Sequence, residues 1–157
     1  MTATAHTLVA GAIASHFSDP VTAGAIAFSS HFVMDCIPHW DLGTNWRLRP
    51  KWITGALALT DTLIAITVPY FLFKGNVPLP TLGIAMIASI LPDWLETPWY
   101  IFFANPTKKE PGVKASLWER LAFGVYKFEN VFHTKAQFPL GAITQVAAVL
   151  FFWVILK

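Results

Sequence analysis

The stretch "ITGALALTDTLIAITVPYFLF", residues 53–73, constrains the fold more than any other part of the chain, because its single charge is Asp61. At about 1.5 Å of rise per residue, a helix of this length covers the roughly 30 Å hydrocarbon core of a bilayer. Backbone in hydrocarbon must satisfy its own N–H and C=O groups, so such a run predicts a helix. Two more apolar runs, about Thr81 to Phe103 and Phe138 to Leu156, have the same character. Composition agrees: 13% of the 157 residues are charged and 55% hydrophobic, where a soluble domain carries about a quarter charged. Seven Trp and thirteen Phe suit membrane interfaces and lipid-facing surfaces. The expected fold class is therefore all-α. It is a polytopic helical membrane protein of about five to six helices, one of them interfacial and amphipathic, in a single domain over 1–157.

The remaining elements follow from caps and breakers. A first, short helix is predicted from about Ala3 to Phe17; its Ala, Gly and Ser content suits close packing against neighbours. The opening residues lack the basic segment of a cleavable signal peptide. Ser18-Asp19-Pro20 then starts a second helix, which Pro38 stops near Ile37. A polar, Trp-rich loop, "HWDLGTNWRLRPK", leads to the third segment, Trp52 to Phe73. Pro92 is expected to bend the fourth. Ser116-x-x-Glu119 is a capping box opening a fifth helix over 117–132, whose polar content predicts an interfacial position. The formal charge of +2 is too small to suggest a nucleic-acid partner, and the lone Cys36 has no intramolecular disulfide mate. Membrane lipids are the expected partners, and nothing indicates an oligomeric state.

Basic residues set the orientation. The loops after helices two and four each carry three, while the loop between helices three and four carries only Lys74. The positive-inside rule places the first two loops, and with them the N-terminus, in the cytoplasm of an inner (plasma) membrane of bacterial or archaeal type. The titratable residues then fall into one layer. His6 opens helix one; His31 and Asp35, at i and i+4 near the end of helix two, share a face about 6 Å apart along the axis. His39 and Asp41 follow Pro38 and can fold back over that helix end. Asp93 and Glu96 occupy the cytoplasmic half of helix four, and His133 ends helix five at the same level.

Neutral imidazoles and carboxylates suit a divalent metal ion, Zn foremost, with Mn or Fe as further candidates, and such an ion offsets the cost of gathering carboxylates. In that reading His6, His31, Asp35, His39, Asp93 and His133 are ligands. Glu96 and Asp41 are the acid/base candidates, and Asp61 supports the site from one step behind it. Arg47, Arg49 and Lys51 either hold an anionic head group or simply obey the positive-inside rule. A structural reading stands beside it: His31–Asp35 as a buried hydrogen-bonded pair, His6 as an interfacial cap, Asp93 and Glu96 paired to loop cations, Asp61 bonded within the helix packing. Carboxylates inside membrane helices are costly, which favours function for Asp93 and Glu96.

With these residues in place a resemblance emerges. "HTLVAG", "DCIPHWD" and "LPDWLE" resemble motifs of the YdjM-like, LexA-binding, inner-membrane-associated family of metal-dependent hydrolases. The resemblance implies a membrane-bound metal-dependent hydrolase with His6, Asp35, His39 and Asp93 as leading metal ligands. This chain reads Pro38-His39-Trp40-Asp41 where the family often has an Asp-x-Asp-His run, and no His follows "LPDWLE". Three classes of function remain in play: a hydrolase of a lipid or amphiphilic ester or phosphoester, a metal or proton transport protein, and a membrane scaffold with a structural polar cluster.

Overall fold

Side chains before each apolar run decide where the first helices start. In the computed structural model, which describes residues 1–42 and 46–156, Thr2 caps α1 (Ala3–His16) and Asp19 caps α2 (Pro20–Asp35). The Asp19 carboxylate accepts the Thr22 N–H at 2.7 Å, and Pro20 sits in the first turn, where its missing N–H costs nothing. Four further helices follow: α3 (Lys51–Phe73), α4 (Leu79–Pro98), α5 (Leu117–Phe132) and α6 (Leu140–Ile155). The described residues thus form an all-α structure with no strand. Residues 43–45 of the Trp-rich loop lie outside the described part; Trp46–Leu48 is one 3₁₀ turn.

The predicted fourth segment divides at a proline. α4 runs to Pro98 and gives way to a π-turn over Trp99–Phe103, closed by Ala104 N–H donating to the Trp99 carbonyl at 2.9 Å. Pro98 has no N–H for the preceding turn, and a one-turn widening is a common way for a helix to absorb such a gap. The capping box forms in half: Ser116 Oγ accepts the Glu119 N–H at 3.2 Å, while the Glu119 carboxylate turns to Lys108 at 2.8 Å.

α1 is the hub. Ten of its fourteen residues are buried, and it packs on α2, α3, α4 and α6. Ala5, Ala10, Ala14, Ala23, Ala27 and Ala85 meet at these contacts, small enough for backbones to approach closely. Gly11 is required for one of them, since a Cβ there would lie 2.3 Å from the Phe73 ring.

The outer helices are apolar on their free faces. α3 buries only Ala65, Pro69 and Phe73 and exposes Leu59, Leu63, Ile66, Phe71 and Leu72. α5 is mixed on both faces: Glu119 and Glu129 are buried with Ala122, while Leu117, Leu121, Phe128 and Val131 are exposed beside Arg120, Lys127 and Asn130. Among the described residues α3 is the one helix both long and apolar enough to cross a membrane; α6 is apolar but has 16 residues.

Candidate metal centre

Polar side chains collect where α2 ends. His31 and Asp35 lie one turn apart on α2 with His31 Nε2 3.5 Å from Asp35 Oδ2. Helix α1 runs beside them, and His6 stacks its ring on that of His31 with centroids 4.1 Å apart. His6 Nε2 lies 3.2 Å from Asp35 Oδ1, yet neither ring nitrogen makes an aligned hydrogen bond, although the residue is wholly buried. Asp93 on α4 brings Oδ1 to 4.0 Å from His31 Nε2. The Met1 α-amino group also pairs with Asp35.

A short backbone pairing completes the cluster. The chain after α5 lies along the chain after α2: Thr134 N–H donates to the Asp35 carbonyl at 2.9 Å, His39 N–H to Thr134 at 3.0 Å, and Ala136 N–H to His39 at 2.7 Å. This lacing carries His133 across the end of α2. Its Nε2 then sits 2.9 Å from His39 Nε2 and 2.8 Å from Asp41 Oδ2, and its Nδ1 3.3 Å from Asp35 Oδ2. Helix α6 presses on the same loop through Gly141, and Thr144 Oγ1 donates to the Pro38 carbonyl.

Two of the imidazoles are set as ligands by their backbone partners. His31 Nδ1 meets the Ser89 carbonyl at 2.8 Å, and His39 Nδ1 meets the Ile37 carbonyl at 2.8 Å. A carbonyl only accepts, so each Nδ1 carries a proton and each Nε2 is the ring nitrogen turned towards the carboxylates. Metal-ligating histidines are oriented in this way. Burial, then the neighbouring α-amino charge, holds the His39 imidazole down to about 4, so it is neutral at physiological pH. Burial works against ionisation of Asp41, but the hydrogen bond from His133 and the charge of Lys135 outweigh it and keep its carboxyl below the usual range.

Two sets of three could each hold an ion: His6, His31 and Asp93, with ligand atoms within 4.8 Å of one another, and Asp35, His39 and His133 likewise. The six ligands expected from the sequence are thus brought together, with Asp41 beside them. The cluster borders a cavity of about 360 Å³ between α3 and α4, whose lining includes Asp41, Asp93, Glu96 and His133. Glu96 is buried at this wall of the cavity, beside Tyr100. Asp61 lines the cavity too and also receives the start of α1, accepting Ala3 N–H at 2.8 Å and the Thr4 hydroxyl at 2.9 Å. It therefore supports His6 through the first turn of α1.

The basic trio stands apart from the cluster. Arg47 stacks over Trp46 at 4.4 Å and donates to the Tyr126 hydroxyl, Arg49 donates to the Leu42 carbonyl, and Lys51 to the Ile101 carbonyl. All three line a small separate cleft of about 50 Å³. The side-chain cation beside the cluster among the described residues is Lys135, 3.5 Å from Asp41 and in the main cavity wall. Sequence reasoning missed it, and also missed Glu129, a buried α5 carboxylate 3.9 Å from His31 Nε2. A signal for Glu129 existed: it precedes His133 by four residues, one helical turn. Burial and the charges of Asp93 and Asp35 raise the Glu129 carboxyl to about 7.

No family model matches the chain, and no curated protein or solved structure is similar to it at a significant level.

Proposed function

We propose that this protein is a membrane-embedded, metal-dependent hydrolase of an amphiphilic ester or phosphoester, of the kind the YdjM-like motifs suggest. The observation that carries the reading is the set of pre-oriented imidazoles and carboxylates at the wall of a cavity whose other side is the apolar helix α3. A divalent ion held by these residues supplies Lewis-acid polarisation of an acyl or phosphoryl oxygen and acidifies water. The chain does the rest. Leu57, Ala58 and Trp94 offer the cavity an apolar wall for hydrocarbon, and Lys135 offers a positive charge for an anionic head group. Glu96 and Asp41 border the same space and can accept or return a proton. The apolar outer faces of α3, α5 and α6 support a location in a membrane, with the cluster near one face of it.

The test is turnover by purified full-length protein in detergent. A fluorogenic short-chain ester, bis(p-nitrophenyl) phosphate and phosphatidic acid in mixed micelles are the probes. Hydrolysis of at least one is expected, lost on chelation, restored by Zn²⁺ or Mn²⁺, and abolished in His39→Ala. A protein that holds stoichiometric metal but turns over none of the three refutes catalysis on these esters.

A further inference from the structure

We propose that the cluster holds two divalent cations joined by the Asp35 carboxylate, an inference that rests on the metal-dependent reading above. The first ion belongs to His6, His31 and Asp93, the second to His39 and His133. Asp35 lies between them. Its Oδ1 is 3.2 Å from His6 Nε2 and 3.8 Å from His39 Nε2; its Oδ2 is 3.5 Å from His31 Nε2 and 3.3 Å from His133 Nδ1. Each oxygen thus lies within 3.8 Å of one histidine of each set, so the carboxylate stands between the two.

The number of donors argues against a single ion. Zn²⁺ takes about four ligands and rarely more than five. Here four imidazoles converge with Asp35 and Asp93, and Asp41 and Glu129 stand 2.8 Å from His133 Nε2 and 3.9 Å from His31 Nε2. One ion has too few positions to engage all of these donors, and they fall into two sets of three. His6 makes the point sharply: it is wholly buried, neither nitrogen has a hydrogen-bond partner, and its Nε2 is aimed at Asp35.

Charge also favours bound cations. Asp35, Asp41, Asp93 and Glu129 bring four carboxylates together, while the cations in contact with them are Lys135 and the Met1 α-amino group. Divalent cations offset the remaining negative charge, and it is the donor geometry that makes them a pair. In two-metal sites such a pair clamps both the attacking and the leaving oxygen of a displacement, which suits the phosphoester branch of the proposed reaction.

The test is a metal count that does not depend on turnover. Full-length protein in detergent is stripped with chelator, titrated with Zn²⁺, freed of excess and measured by elemental analysis. Two ions per chain are expected in the wild type, and one in each of His6→Ala and His39→Ala. Loading with Mn²⁺ should give an exchange-coupled electron paramagnetic resonance spectrum in the wild type and an uncoupled six-line spectrum in either variant. One Zn²⁺ per chain in the wild type overturns the pair and leaves a single-ion hydrolase standing. No bound metal overturns both readings, and two uncoupled Mn²⁺ ions overturn the Asp35 bridge. Should a variant not fold, wild-type stoichiometry and coupling decide the matter alone.

Discussion

Gly141→Ala is a one-methyl perturbation whose effect can be worked out before it is made. At Gly141 the start of α6 touches the loop that carries His39: a Cβ there would lie 2.5 Å from Trp40 N, 2.7 Å from Ala136 O and 2.8 Å from His39 C. Ordinary contact for a Cβ begins at 3.4 Å, so about 0.9 Å must be opened. All three neighbours are backbone, and no rotamer change can open it. Overpacking of this kind costs about 1–3 kcal/mol. Two of the three obstacles, His39 and Ala136, belong to the backbone pairing that aligns His39 with His133. A functional constellation tolerates only about 0.5 Å of displacement, so the variant should weaken the ion site at His39 and His133 and spare the one at His6 and His31. The internal controls are Gly83→Ala in α4 and Gly124→Ala in α5, where a Cβ meets nothing within 4 Å. Those two should be neutral or gain about 1 kcal/mol from helix propensity. The assay is thermal unfolding in detergent beside Zn²⁺ content for all three proteins. If Gly141→Ala melts with its controls and keeps full metal, the contact between α6 and the His39 loop does not position the site.

Three other outcomes are expected. Asp61→Ala removes the carboxylate that receives Ala3 N–H and the Thr4 hydroxyl; it should lower stability by about 1–2 kcal/mol, the usual worth of a helix cap, and weaken Zn²⁺ affinity in competition titrations with a chelating dye. Glu129→Gln keeps the shape of a carboxylate 3.9 Å from His31 but not its charge, and Zn²⁺ affinity should fall by about 10–100-fold, as for other groups that support metal ligands. Carbonate washing of membranes should leave the wild-type chain in the pellet; replacing Leu59, Leu63 and Ile66, all exposed on α3, with Arg should release it, since each charge at mid-bilayer costs about 2.5–3.5 kcal/mol.

Much of this protein was legible along the chain because the signals are local. Asp19-Pro20 and Ser116 mark helix starts through contacts three residues long, and they appear where expected. The apolar run of α3 declares its helix through composition alone, and His31 with Asp35 share a face because helical geometry requires it. The convergence of His6, Asp93 and His133 on that face followed from counting residues along each helix towards a common depth.

Tertiary structure decided what distance along the chain conceals. The position of His133 depends on a backbone pairing with His39 ninety-odd residues earlier, made by N–H and C=O groups that every residue carries and no pattern marks. Glu129 points inward on the face of α5 that also carries Ala122, while Leu121, Phe128 and Val131 point outward, an arrangement set by what the helix packs against. Arg47, Arg49 and Lys51 lie near the site in sequence but donate to Tyr126, Leu42 and Ile101, and the lysine that reaches the cavity is Lys135. Ligand types and helix faces are properties of single segments and can be read from them. Which ring nitrogen faces which carboxylate, and whether Asp35 stands between two ligand sets, depends on how the segments pack.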